Sequence, residues 1–398
     1  MKRVATSIML VGVLLFSGLF TLATEAATVP TVSYTKDGDR SLIFVNNPEQ
    51  IYNGDLGDGN LGDKSIYRDT LAPGKYRNFF EHVNRSGSTI GFGIQLYNPN
   101  PYPVTVTVNG SGYEASVYGG RPFAQMFSTY SSTGTSYTVP AGGSQWIMRK
   151  DNSVTNGSFF SGVIDFTISG GQVIMNNTAY RNFSALDGST AYMGYIQRIE
   201  SDGTHEARVY KGISPYSEVT AANVNFTISD SDAQGVLAVQ YPNYNVSTGT
   251  YGSSSVRADG WVSSISPVNN QNAITNDMLS FNMPGWGTVD ALRPSDGEGK
   301  YGNLANWGVV YTVKGSVTNN GTRARTVSAN YKGNPSSNAF IAYRGSDNTW
   351  RSTQVAPGSN IQYYTFSVPA KTTIAYEAKF VIGGPSGGNI VQSISLNN

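Results

Sequence analysis

The chain has 398 residues, no cysteine, only 13% charged side chains and a formal net charge of +1. Cysteine-free composition excludes disulfides, thiolate zinc sites, cysteine nucleophiles and a lipoprotein anchor, and a neutral balance removes any electrostatic pull toward nucleic acid or anionic membranes. The 45 Gly, 25 Tyr and 17 Phe, with abundant Thr, Ser and Val, point to extracellular β-structure rather than helical bundles or disorder.

Met1-Lys2-Arg3 is a short basic region, and Ile8 to Phe20 is mostly apolar. Small residues follow at Thr24-Glu25-Ala26-Ala27, so residues 1–27 read as a secretory signal peptide. The apolar core is shorter than the roughly 20 residues a membrane span requires. With Lys2, Arg3 and Glu25 removed, equal numbers of acidic and basic side chains remain. No later apolar run or sorting motif is visible, so the mature protein is expected to be released or held at the surface without a membrane span. Export without disulfides fits a Gram-positive source.

Two domains are expected, 28–186 and 187–398. Residues 187–276 read either as extra strands of the second or as a small module of its own. Ser41 to Val45 forms a strand ended by Asn46-Asn47-Pro48, and Tyr76 to Val83 forms another, turned by Asn84-Arg85-Ser86-Gly87. The organising stretch follows. Phe92, Ile94 and Leu96 alternate with small or polar residues, Asn98-Pro99-Asn100-Pro101 turns the chain, and Val104, Val106 and Val108 resume up to Asn109-Gly110, expected to close the strand. Helical periodicity is poor throughout; Phe123 to Tyr130 is the best candidate and amounts to one short turn.

The same grammar returns late in the chain. Trp307, Val309, Tyr311, Val313 and Val317 alternate, Asn319-Asn320-Gly321 turns, and Val327, Ala329 and Tyr331 alternate again. Taking Asn319 as the counterpart of Asn98 aligns Val139-Pro140-Ala141-Gly142 with Val355-Ala356-Pro357-Gly358. It also aligns Phe160–Ile168 and its Gly170-Gly171 with Ile374–Ile382 and its Gly383-Gly384. Three anchors in one order predict an all-β chain of two tandem β-sandwich-like domains, related by duplication, with extra strands in the second.

Asn47-Pro48-Glu49, Arg77 to Asn84 with Ser86-Gly87, Asn98-Pro99, and Gly302-Asn303-Leu304-Ala305-Asn306-Trp307-Gly308-Val309-Val310-Tyr311 carry a resemblance. They resemble a family of secreted bacterial β-rich proteins of undefined function. It has cyanobacterial members, and Gram-positive members associated with copper-amine-oxidase-like N-terminal stalk domains. The resemblance implies export and a β-rich fold and brings no catalytic residues. The chain departs from the pattern at Glu81-His82, where a histidine pair is frequent, and in having no evident stalk.

Only His82 and His205 could serve imidazole chemistry, one in each half, too few for a local copper or zinc centre. Asn243-Tyr244-Asn245 superficially resembles a copper-amine-oxidase cofactor site but has no acid after the tyrosine. Paired carboxylates suit glycoside hydrolysis, and Glu81, Asp165, Glu200, Glu206, Asp290 and Glu377 are the candidates. Asp165 and Glu377, in the duplicated strand, are expected on solvated positions paired with Arg or Lys. Asp55, Asp58, Asn60 and Asp63 interleave oxygen ligands with glycine, a pattern suited to calcium though not in EF-hand spacing. No other cofactor is expected. Trp261, Trp286 and Trp350 stand beside turn residues, where an exposed indole could stack on sugar rings; Trp146 and Trp307 are expected in the core.

These residues give three function classes. The first is a non-enzymatic structural or adhesive protein of the cell surface or matrix. The second is a carbohydrate-binding protein using the loop tryptophans on cell-wall or extracellular polysaccharide, and the third a glycoside hydrolase. No nucleic-acid partner is expected, and oligomeric state is not readable at this level.

Overall fold

The computed structural model describes residues 34–46, 48–57, 64–117, 121–182, 194–195, 211–214, 216–240, 251–256, 262–268, 280–283, 287–290, 307–333, 338–383 and 391–397. Most are strand. The described chain opens with β1 (Thr35–Lys36), a short arm. The first sandwich then runs through β2 (Arg40–Val45), β3 (Gln50–Ile51), β4 (Lys64–Ser65), β5 (Tyr67–Leu71), β6 (Gly74–Asn84) and β7 (Ile90–Tyr97). It continues with β8 (Val104–Ser116), α1 (Arg121–Ser128), β9 (Ser131–Val139), β10 (Ser144–Val154), β11 (Phe159–Ser169) and β12 (Val173–Tyr180). Two short strands follow, β13 (Gly194–Tyr195) and β14 (Lys211–Ser214).

The second sandwich begins with β15 (Glu218–Ala221), β16 (Phe226–Ile228) and β17 (Gly235–Gln240). Two hairpins follow it, β18 (Tyr251–Val256) with β19 (Val262–Val268), and β20 (Ser280–Met283) with β21 (Gly287–Asp290). It closes with β22 (Val310–Asn319), β23 (Arg325–Lys332), β24 (Ala339–Arg344), β25 (Trp350–Val355), β26 (Asn360–Val368), β27 (Thr372–Ile382) and β28 (Val391–Asn397).

Each sandwich packs a long sheet on a four-stranded one. In repeat 1 the long sheet runs β14-β2-β6-β11-β8-β9, with β3 also on β6, against β10-β7-β12-β5. In repeat 2 it runs β1-β15-β22-β27-β24-β25, with β16 also on β22, against β17-β28-β23-β26. The correspondence is strand for strand. Even the parallel pairings match, β2 and β3 on β6 and β15 and β16 on β22, within otherwise mainly antiparallel sheets. The duplication read from the sequence is therefore real. Of the stretch 187–276, β14 joins the sheet of repeat 1 while β15, β16 and β17 belong to repeat 2.

One anchor of that duplication is shifted by one strand. β22 and β23 correspond to β6 and β7, so the counterpart of Asn319 is Asn84 and not Asn98; the other two anchors stand. The reason is a turn used three times. Asn84 Nδ2 donates to the carbonyls of Ser88 (2.7 Å) and Val154 (2.9 Å), and Asn98 Nδ2 to those of Tyr102 (2.8 Å) and Val139 (3.0 Å). Asn319 Nδ2 likewise reaches Arg323 and Val368, both at 2.9 Å. In each case the Oδ1 accepts the N–H two residues on, from Ser86, Asn100 and Gly321. Val154 and Val368 end the corresponding strands β10 and β26, which decides the pairing. All three asparagines are fully buried, so each turn depends on one amide. Replacing Asn319 by Ala or by Asp is expected to cost about 2–3 kcal/mol, since both remove the donor and leave the buried Val368 carbonyl unpaired. A urea melt measures this, and an Asp variant as stable as the parent would refute it.

Alternation explains the cores. In repeat 1 the inward faces of β6, β7 and β11 bring Phe80 to 4.4 Å from Phe92 across the sandwich. Gly162 leaves room for that ring: a Cβ there would lie 2.1 Å from Phe80. His82 is another inward residue, stacked among Phe80, Phe92 and Phe160, with Nδ1 donating to the Pro48 carbonyl at 2.7 Å. The core of repeat 2 is built on Tyr311, Tyr331, Tyr363 and Phe380, with Tyr311 stacked on Phe380 at 5.0 Å.

Two local expectations are corrected. Asn109-Gly110 does not close a strand: β8 runs on to Ser116, with a bulge at Asn109 between Val108 and Gly110. Beyond the bulge, Gly110 and Gly112 give Tyr130 and the end of α1 direct access to the strand. A Cβ would meet the Tyr130 hydroxyl at 2.3 Å and the Met126 carbonyl at 2.1 Å. The helix itself has eight residues, two turns rather than one. No helix of the described residues is long and apolar enough to cross a membrane.

Candidate functional site at the joint between the repeats

The two repeats trade their leading strands. β1, which precedes β2, pairs antiparallel with β15 of the other repeat, Thr35 opposite Thr220 and Lys36 opposite Val219. β14, which precedes β15, pairs antiparallel with β2, from Lys211 opposite Val45 to Ser214 opposite Leu42. The exchange has the pairing pattern of a two-fold. Tyr34 of the first arm is buried in the core of repeat 2, edge-on to Tyr311 at 5.0 Å, with its hydroxyl donating to Gln392. Ile213 of the second arm packs on the core of repeat 1. Backbone bonds lock the crossing, Asp37 N–H to Glu218 at 3.0 Å and Ser217 N–H to Arg40 at 2.9 Å.

A charged cluster sits in the crossing. Asp165 of β11 lies directly opposite Arg77 of β6 and is only 1% exposed. Arg77 grips it with two hydrogen bonds of 2.8 Å, from Nε to Oδ1 and from Nη2 to Oδ2. Tyr130 adds a third at 2.8 Å, and Arg40 lies 3.3 Å away. Glu218, from repeat 2, accepts from Arg40 at 2.8 Å and lies 3.6 Å from Arg77. Arg40 and Glu218 occupy corresponding positions in the two repeats, so the pair that meets across the joint is formed by equivalents.

Burial alone would push the Asp165 carboxyl up, but the charge and hydrogen bonds of Arg77, with Arg40 and Tyr130, hold it below the ordinary carboxylate value. Burial also opposes charge on Arg77, and Asp165 overrules it and raises the guanidinium further. Burial and the neighbouring Asp165 charge raise the Tyr130 phenol. The cluster holds two fixed positive and two negative groups, and Asp165 stays ionised.

An apolar seam closes the joint. Phe44 and Phe79, stacked at 5.3 Å, turn outward from repeat 1, and Trp307 of repeat 2 lies 5.9 Å from Phe44. Gly308, at φ 77°, brings the chain against Phe79, where a Cβ would lie at 2.5 Å. On the other side α1 contacts β24 and β25, and Phe127 meets Trp350 at 5.4 Å.

The residues expected to carry function are dispersed. Trp350 heads an edge strand, half-buried against Phe127, and so is not the exposed loop indole its neighbours predicted. Trp261 and Trp286 lie outside the described residues. Trp307 is buried as expected, at the joint, whereas Trp146 is not core: it lies half-buried on the outer face of the four-stranded sheet, above Gly93. Asp55 is 3% exposed and caps its own turn, accepting the Tyr52 N–H at 2.7 Å; Asp58, Asn60 and Asp63 lie outside the described residues. Among the described residues no group of three or more His, Cys, Asp or Glu could hold a metal.

Of the carboxylates, Asp165 is buried rather than solvated, though its Arg partner was anticipated. Glu377 is exposed and pairs with Lys379 at 2.9 Å. Glu81 is buried on β6, Asp290 falls on β21, and Glu200, Glu206 and His205 lie outside the described residues. Glu377 also lines an open groove of about 560 Å³ on repeat 2, with Asn223, Asn225, Lys314 and Ser316. Asn225 Oδ1 is committed there to the Ser316 N–H and hydroxyl.

The joint itself was not read from the sequence. Its one signal is chemical: in a chain with few charges, Arg77 sits inside the strand Tyr76 to Val83, next to Tyr76 and two residues before Phe79. Such a charge requires a partner close by.

No protein-family model matches the chain, and no curated protein does. Among solved structures, the chain is similar to oxalate decarboxylase from Bacillus subtilis, at 9% identity over 83% of this chain and 68% of that one, with a TM-score of 0.11. It is also similar to the CBM22 tandem domain of Paenibacillus barcinonensis Xyn10C, at 7% identity over 92% and 86%, with a TM-score of 0.15. Likenesses this weak carry no argument about fold or function.

Proposed function

We propose that the chain is an exported, non-enzymatic structural or adhesive element of the bacterial cell surface or extracellular matrix. The supporting observation is the reciprocal strand exchange. Each long sheet is extended by a strand of the other repeat, so separating the repeats requires breaking both edge pairings, the buried ion cluster and the aromatic seam together. Two sandwiches joined this way behave as one stiff body, which is what a spacer or scaffold under load requires. The leader-like N-terminus and the neutral, Thr- and Ser-rich strands fit that setting.

Fractionating cells that express the full chain into medium, wall, membrane and cytosol tests this reading. The expected result is recovery from the wall or matrix fraction as the mature chain. Cytosolic recovery sinks the structural reading. Co-sedimentation with an insoluble wall polysaccharide would favour carbohydrate binding, and release of reducing sugar from it a hydrolase.

A further inference from the structure

The joint makes a second copy of the chain a natural partner. We propose that copies assemble by trading repeats, repeat 1 of one closing on repeat 2 of another through the same β1–β15 and β14–β2 pairings. This names a partner for the structural role above and rests on that role for its biological setting, though not for its geometry.

Every contact that defines the joint is made between the two repeats: Thr35 with Thr220, Arg40 with Glu218, Phe44 with Trp307, Phe127 with Trp350. None depends on the repeats belonging to one polypeptide. Closing within a chain or between chains therefore forms identical bonds, and the two outcomes differ only in the tether that raises one repeat's concentration near the other.

That tether can be located. β13 pairs with β4 and so stays with repeat 1, and β14 already lies in the joint. Residues 196–210 remain between them, roughly 50 Å at full extension. Joining two modules in one chain supplies at most millimolar effective concentrations, which a crowded wall or matrix can rival. No net charge opposes the association, because the mature chain carries equal numbers of acidic and basic side chains and the buried cluster is itself balanced. Two copies that trade repeats leave no leading strand unpaired, so the dimer is closed.

The absence of cysteine gives a clean test. Full-length mature chains carrying either Thr35→Cys or Thr220→Cys are unfolded, mixed, refolded from micromolar to near-millimolar concentration and oxidised. A chain carrying both substitutions, refolded dilute, reports whether the register closes a disulfide internally. The unsubstituted chain, refolded over the same range, is followed by size-exclusion chromatography with light scattering. The expected result is a covalent heterodimer that grows with concentration and exceeds the homodimers of either variant, with a dimer peak in the unsubstituted chain. The proposal is overturned if the doubly substituted chain closes internally while the mixture gives no excess heterodimer. It is equally overturned if the unsubstituted chain scatters as a monomer at every concentration. A monomer recovered from the wall would remove repeat trading and leave the structural role; a traded dimer found only in the cytosol would do the reverse.

Discussion

Replacing Asp165 with alanine is expected to destabilise the folded chain by about 3–5 kcal/mol, the cost of removing one partner of a buried ion pair. The guanidinium of Arg77, in a residue only 5% exposed, would keep its charge with both hydrogen bonds of its carboxylate partner gone and only the more distant, partly exposed Glu218 near it. Arg40 suffers less, being partly open to water. The double substitution Asp165→Leu with Arg77→Met should recover most of the loss, because two well-packed apolar groups replace a pair that had to be desolvated. Urea unfolding of the three variants measures both effects. An Asp165→Ala variant within about 1 kcal/mol of the parent would mean that the cluster is only surface electrostatics.

Acid unfolding carries the same signature with a definite sign. The folded-state pKa of Asp165 is lowered, so its contribution is fully present above the unfolded carboxylate value of about 3.9 and disappears as pH falls through the lower folded value. Asp69 works in the opposite sense. Burial raises its carboxyl, against hydrogen bonds from Tyr67 and the Thr70 N–H, so its contribution is present at low pH and fades as pH rises. The Asp165-dependent part is therefore the gap in stability between parent and variant, full above about pH 4 and closing as the pH falls below it.

The strands were legible because one face of each carries the large apolar side chains. Phe92, Ile94 and Leu96, or Val327, Ala329 and Tyr331, alternate with small or polar residues, and all six are buried. The duplication was legible where turn chemistry is distinctive, as at Val139-Pro140 and Val355-Ala356-Pro357. It slipped at Asn98 because one asparagine-centred turn serves two successive sheet-to-sheet crossings of repeat 1, and short-range pattern cannot tell which one a third copy matches. The joint was illegible for a different reason. Its pairings link Thr35 to Thr220 and Ser214 to Leu42, residues far apart in sequence whose arms are too short to show a period. Asn109-Gly110 misled similarly: glycine marks a turn in most contexts, but here Gly110, with Gly112, marks the floor on which a helix rests.

Tyr34 decides whether the N-terminal arm is structural or a passive tail. Its ring is buried against Tyr311, and its hydroxyl donates to Gln392, whose amide reaches Tyr363. Tyr34→Ala should cost about 3–5 kcal/mol, as for other large buried aromatics truncated to alanine. Tyr34→Phe keeps the packing and removes only the hydroxyl, leaving the buried Gln392 carbonyl short of a donor, and should cost about 1–3 kcal/mol. The location of the loss is as informative as its size. Tyr34 precedes repeat 1 in sequence but fills repeat 2 in space, so hydrogen exchange should quicken first in β22 and β28 while β7 and β12 stay protected. If both variants melt with the parent, the arm contributes nothing and the exchange of strands cannot hold the repeats together. If exchange instead quickens evenly through both repeats, the joint transmits the damage, and the two sandwiches unfold as a single cooperative unit.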